Sequence, residues 1–203
     1  MNRGRPRKLN RSFYNRPTVE VARELLGKVI VYNSPLGRLS ARIVEVEAYI
    51  GQEGDPACHA ARGRTTRNEV MFGPPGHAYI YFIYGMYHCL NFVTEGCGFP
   101  AAVLLRAAEP VEGASLMVRS PSDRHPGRLL SGPGKFCRAF GLTREENGLD
   151  LTGGRLYLEH RFDRKISVGQ TSRIGISQGK DHLWRFFDRD SNAVSIIRNQ
   201  RTT

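Results

Sequence analysis

The stretch Tyr79–Asn91, YIYFIYGMYHCLN, constrains the fold more than any other part of the chain. Tyr79 and Tyr81 share one side of a period-two pattern, and Ile80, Phe82 and Tyr84 share the other. Gly85-Met86 has the Gly-X chemistry of a type II′ turn, so the segment predicts a β-hairpin with Tyr84 at its tip. A hairpin commits this region to antiparallel pairing. A large ring at an exposed tip is poorly placed for a core, and it would serve as a wedge between base pairs. Aromatic residues are also good strand formers, so a hairpin packed on its own domain fits the same residues equally well.

Further strands are predicted at KVIVY (28–32), Arg38–Ile50, AAVLLRA (101–107), LWRFFDRD (183–190) and AVSII (193–197). In the second of these, Val44, Val46, Ala48 and Ile50 would share one face, and Glu45, Glu47 and Tyr49 the other. That second face begins with Leu39, Ala41 and Ile43, so the alternation changes character along the strand. Helices are predicted after Thr18 as N-cap, over 109–120, and over 131–141, where proline near N1 and glycine at the end follow the usual asymmetry. Thr143 and Glu146 fit a capping box. With no internal repeat and no linker, the reading is one α+β domain at 18–203. It would have a curved, largely antiparallel sheet, flanking short helices and a protruding hairpin.

Thirty Lys and Arg against 19 Asp and Glu give a net charge of +11, which points to a polyanionic partner. Arginine supplies most of it, and guanidinium forks suit phosphates and stack on bases. Residues 1–17 carry six basic residues and no acid, and read as a flexible basic arm. No apolar h-region follows, so the expectation is a cytoplasmic, nucleoid-associated protein of bacterial type, not secreted and not in a membrane. The four cysteines form no C-x-x-C pair and read as reduced thiols. Cys58-His59 and His88-Cys89 do not match finger spacing, so no metal is expected. SGPGK (131–135) fails as a phosphate loop, because Phe136 stands where Ser or Thr must hold magnesium. Neither a dinucleotide G-x-G-x-x-G nor a G-x-S-x-G elbow is present.

The segments EVEAYIG (45–51), DPACHA with His59, TRNEVMF (66–72), YIYFIYGMYHCLN, LLRAAEP (104–110), SGPGK and RIGI (173–176) occur in this order. Together they closely resemble the alkyladenine (3-methyladenine) DNA glycosylase family, from about Thr18 to Ser195. The resemblance implies a monofunctional enzyme, acting as a monomer without cofactor on double-stranded DNA. It would flip out an alkylated purine and cut its N-glycosidic bond. Tyr84 matches the residue that fills the vacated place in the stack. Tyr49 matches a ring that stacks on the flipped base, and His59 and Tyr81 match groups that close its other face. Asn91 matches a position that crowds the exocyclic amine of guanine, and Met71 one that faces the opposite strand. Glu47 matches the catalytic carboxylate; Arg106 and the backbone carbonyl of Ile174 match groups that help hold the attacking water. Arg62, Arg64 and Arg67 would contact phosphates or brace their loop. On its own, Glu47 reads as a salt-bridged strand residue and His59 as a loop histidine without a role. A non-catalytic module that stacks bases on its tyrosines and a metal-dependent nuclease are the other readings of the same charge and rings.

Overall fold

The structure, a computed structural model, describes residues 6–51, 54–124, 127–161 and 165–195. In chain order the elements are β1 (Arg7–Lys8), α1 (Arg11–Tyr14), α2 (Thr18–Leu25), β2 (Val29–Ser34), β3 (Gly37–Ile50), β4 (Ala78–Ile83) and β5 (Tyr87–Val93). They continue with β6 (Ala101–Glu112), α3 (Ala114–Met117), α4 (Pro133–Phe140), β7 (Leu156–His160), β8 (Val168–Thr171) and β9 (Arg185–Asp188). The strands run β1-β7-β2-β3-β6-β5-β4, and β9 joins β3 and carries β8. Every pairing between these strands is antiparallel. The α+β expectation holds. Among the described residues no helix is long and apolar enough to cross a membrane.

Two layers flank the sheet. On one face α2 (Val21, Ala22, Leu25) and α4 (Phe136, Cys137, Phe140) pack on Ile30, Ile43, Val46, Ala48, Ile80, Leu90, Phe92, Val103 and Leu105 to form the main core. On the other face the irregular stretch after β3 makes a smaller cluster, in which Cys58, Ala60 and Met71 meet Tyr79, Val93 and Ala102. The candidate site lies on this second face.

Several local expectations are corrected. Thr18 is the first helical residue of α2 and Pro17 its N-cap position, which makes no side-chain capping bond. The capping acceptor comes from far away in sequence. Glu95 receives the Thr18 N–H at 2.6 Å and its hydroxyl at 2.8 Å, placing a carboxylate at the positive end of the helix. The helix expected over 109–120 shrinks to α3, because β6 runs on to Glu112 as the partner of β3, with Pro110 beside a register irregularity. The chain from Arg7 onward is folded, not a free arm. β1 pairs with β7, Tyr14 is fully buried, and Arg11 and Arg16 form ion pairs with Asp150 and Glu24. Residues 1–5 lie outside the described residues. The strand expected over 183–190 narrows to β9; Ala193–Ser195 form no strand, and 196–197 lie outside the described residues.

Candidate active site

The change of character along β3 has a structural cause. Leu39, Ala41 and Ile43 face the main core, but so do Val46 and Ala48, so the side-chain parity switches between them. The switch sits at register shifts between Ile43 and Glu45 and between Glu45 and Val46, where Val44 on β3 and Arg106 on β6 stand without a paired residue. A bulge of this kind re-aims side chains. Here it turns Glu45 and Glu47 away from the core and brings Arg106 to the same place.

Glu47 is fully buried. Its Oε1 accepts the backbone N–H of Ile174 at 2.7 Å. Its Oε2 accepts the Tyr49 hydroxyl at 2.9 Å and Arg106 Nη1 at 3.3 Å. Burial pushes the Glu47 carboxyl above the ordinary carboxylate range, and Arg106, the Ile174 N–H and the Tyr49 hydroxyl oppose that shift. Arg106 also reaches Glu45 through Nε at 3.1 Å, so one guanidinium spans two buried carboxylates. Glu45 is held further by Arg185 at 2.7 Å and by the Ser195 N–H at 2.6 Å. Ile174 meets Glu47 through its N–H; the resemblance had drawn attention to its carbonyl.

The three donors to Glu47 all line one cavity of about 500 Å³, whose wall also includes His59, Met71, Tyr79, Tyr81 and Asn91. That volume lies within the range that encloses a small planar ligand. His59 and Tyr81 meet edge to face with centroids 4.4 Å apart, and the His59 ring is 3.0 Å from the Tyr79 hydroxyl. The His59 backbone is pinned by the Asn68 side-chain amide at 2.9 Å. Burial, and then the charge of Arg67, lower the His59 pKa, which favours its neutral imidazole. Asn91 donates to the Tyr79 carbonyl at 3.0 Å, which fixes its amide orientation. Met71 is buried in this wall, not on open surface.

At the far edge, Tyr84 is 80% exposed. The turn differs from the Gly85-Met86 type II′ expected. Tyr84 and Gly85 both have positive φ, 55° and 67°, and the Met86 N–H closes on the Ile83 carbonyl at 3.2 Å, the pattern of a type I′ turn. A bulky residue at positive φ is a steric outlier, and asparagine or glycine would fit the turn better. Gly134 of SGPGK allows the start of α4 to abut the hairpin, since a Cβ there would come within 2.7 Å of the Tyr87 ring. Gly132 to Lys135 therefore form one rim of the cavity.

Of the three clustered arginines, Arg62 is exposed. Arg64 pairs with Glu69 at 2.9 Å. Arg67 lies over the Tyr81 ring at 5.3 Å and reaches the Phe82 carbonyl at 3.4 Å, so it braces the hairpin. Among the described residues no group of three or more His, Cys, Asp and Glu has the arrangement to hold a metal ion.

Sequence reasoning missed four participants. Glu45 and Arg185 complete the ion-pair network, and only their charge in strands that are largely buried signalled them. Asp55 and Arg173 form a bidentate, fully buried ion pair at 2.6 and 2.7 Å. No local signal links residues so far apart in sequence.

The chain is similar to a protein of Methanocella arvoryzae, provisionally named a 3-methyladenine DNA glycosylase. The two are 55% identical over 192 residues, covering 92% of this chain and 95% of the relative. A relative with the same provisional name from Desulfitobacterium hafniense is 45% identical, covering 94% and 99% of the two chains. One from Chlorobaculum tepidum is 47% identical, covering 93% and 91%. The family model for methylpurine-DNA glycosylase matches residues 12–192, from the first turn of α1 to beyond β9. That span contains Glu47, its three donors and the whole cavity wall, and the chain belongs to the methylpurine-DNA glycosylase family.

Proposed function

We propose that this protein is a monofunctional DNA glycosylase that acts as a monomer on double-stranded DNA. It turns a damaged purine, 3-methyladenine, a related alkylated base or the deaminated purine hypoxanthine, out of the duplex and releases it by water attack at C1′, leaving an abasic site. One observation carries the reading: a buried carboxylate whose three hydrogen-bond donors all line an aromatic-walled cavity of about 500 Å³. A base inside a duplex is inaccessible, so such chemistry requires it to be flipped into a pocket. Tyr49 stacks on one face of the base, and His59 and Tyr81 close the other. An alkylated, electron-poor purine gains more from electron-rich rings than a normal one does. Asn91, its amide fixed by the Tyr79 carbonyl, crowds the exocyclic amine of guanine.

As the base departs, positive charge develops at C1′, and water enters from the opposite face, as in inverting glycoside hydrolysis. Glu47 accepts the proton of that water and stabilises the charge. Its three donors take three of about four acceptor positions of a carboxylate, leaving one for the water. Arg106 keeps the carboxylate ionised in its buried setting. Lys135, exposed on the cavity rim, and the exposed Arg62 contact phosphates, while Arg64 and Arg67 act chiefly as braces. The function is tested by incubating the purified chain with methylated duplex DNA in EDTA and measuring free base. Release of 3-methyladenine is expected. DNA binding without release would favour a base-stacking module, and cleavage abolished by EDTA a metal-dependent nuclease.

Tyr84 is assigned to the gap left by the flipped base. Tyr84→Asn keeps a residue that tolerates the turn, so thermal stability should not fall, while affinity for lesion duplex and excision should drop together by about five- to a hundredfold. Unchanged binding and excision in a titration with lesion duplex would remove Tyr84 from this role.

A further inference from the structure

Tyr49 has two faces, and only one can meet the cavity. Over its ring lies the Arg173 guanidinium, 4.6 Å from the centroid, with a side chain wholly inaccessible to solvent. The stack continues outward: Arg173 lies 5.2 Å from the Trp184 ring, and Trp184 stacks on His182 at 4.0 Å with planes 6° apart. Tyr49 is thus the last plate of a ladder whose next rung is a fixed cation. Arg173 is held by the two oxygens of Asp55 and by the Ala48 carbonyl at 2.9 Å, while Asp55 also accepts the N–H groups of Ile50 and Ala57.

We propose that Asp55 is a positioning residue that sets the charge preference of the cavity. By pairing with Arg173 behind Tyr49, it cancels a cation that a positively charged purine stacked on the front face would otherwise meet. The inference rests on the reading of Tyr49 as the platform for a flipped base. Purine nucleosides alkylated at N3 or N7 carry a formal positive charge, whereas hypoxanthine is neutral. A base stacked on Tyr49 would sit about 8–9 Å from the guanidinium, close enough for an unbalanced unit charge to matter at an effective dielectric of about 20. The charge moves from the base to the sugar as the bond breaks. An unbalanced Arg173 therefore penalises the bound cationic substrate more than its transition state, and the penalty appears in KM, not in kcat.

The experiment uses the whole purified chain and two duplexes, one with a single 3-methyladenine and one with a single hypoxanthine. In Asp55→Asn the side chain still accepts from Arg173 but carries no charge. The ratio of KM for 3-methyladenine to KM for hypoxanthine should rise about tenfold, with kcat for 3-methyladenine no lower. Arg173→Gln leaves the Asp55 carboxylate unbalanced, and the ratio should move the other way. Trp184, the one tryptophan of the chain, reports folding of each variant from within the ladder, and either variant alone suffices if the other does not fold. KM values that rise in parallel for both duplexes would show a merely structural pair and overturn the proposal. A wild-type chain that releases neither base would instead remove the reading of the cavity itself.

Discussion

Glu47→Gln is expected to retain binding to lesion duplex while single-turnover base release falls by about two to four orders of magnitude. The two side chains match in shape, so the cavity is preserved. The glutamine oxygen can still accept one or two of the donors that reach residue 47. On the proposed mechanism, what disappears is the negative charge opposite C1′ and the group that takes the proton from water. Folding should survive, because Arg106 keeps Glu45 at 3.1 Å and is not left without a carboxylate. Binding should survive because residue 47 is fully buried and cannot touch phosphate. Release at a near-normal rate by the folded variant would assign the water to another group.

Arg106→Met should have the largest effect on stability. Its guanidinium serves two carboxylates that are both fully buried, and only one has another cation. Glu45 retains Arg185 at 2.7 Å, whereas Glu47 retains only the Ile174 N–H and the Tyr49 hydroxyl. Removing one partner of a buried pair costs about 3–5 kcal/mol. At about 2–4 °C per kcal/mol for a chain of this size, Tm should fall by roughly 10 °C. The sign of the pH dependence follows from the Glu47 carboxyl, already raised by burial and raised further without Arg106. Stability from such a group is present below its unfolded pKa and is lost as pH rises through its folded value. The deficit against the parent protein should therefore be smaller near pH 4–5 and larger near pH 8, where base release should also be nearly abolished. Melting curves of the two proteins at both pH values check this. An equal deficit at both would mean that Glu47 does not depend on Arg106 for its charge.

Much of the site was legible in the sequence because its parts lie close together along the chain. Glu47 and Tyr49, two apart on a strand, had to point the same way. The alternation of Tyr79 and Tyr81 against Ile80 divided the hairpin between cavity and core, and Phe82, further out, is exposed. What was not legible depended on partners far away in sequence. Leu39, Ala41 and Ile43 share a parity with Glu45 and Glu47, and only the mismatched register with β6 explains how the first three face the core and the last two the site. Strand β6 absorbs residues 109–112 because β3 offers an edge that long, against local signals that favoured a helix. The N-terminal charges suggested a free arm, but Leu9 and Tyr14 anchor that segment against β7 and the core. The Asp55–Arg173 clamp joins two loops 118 residues apart, and nothing in either loop announces the other.

The pH dependence of single-turnover base release, measured for the parent protein and for Glu47→Gln, bears most directly on the claim that an ionised Glu47 activates the attacking water. Neutral hypoxanthine is the suitable base, since its own charge does not change over the acidic range. The parent protein should lose activity as pH falls through a value above the ordinary carboxylate range, because burial raises the Glu47 carboxyl and its protonated form cannot accept a proton. That limb should be absent from the slow residual reaction of Glu47→Gln. The same acidic limb in both proteins would contradict the account.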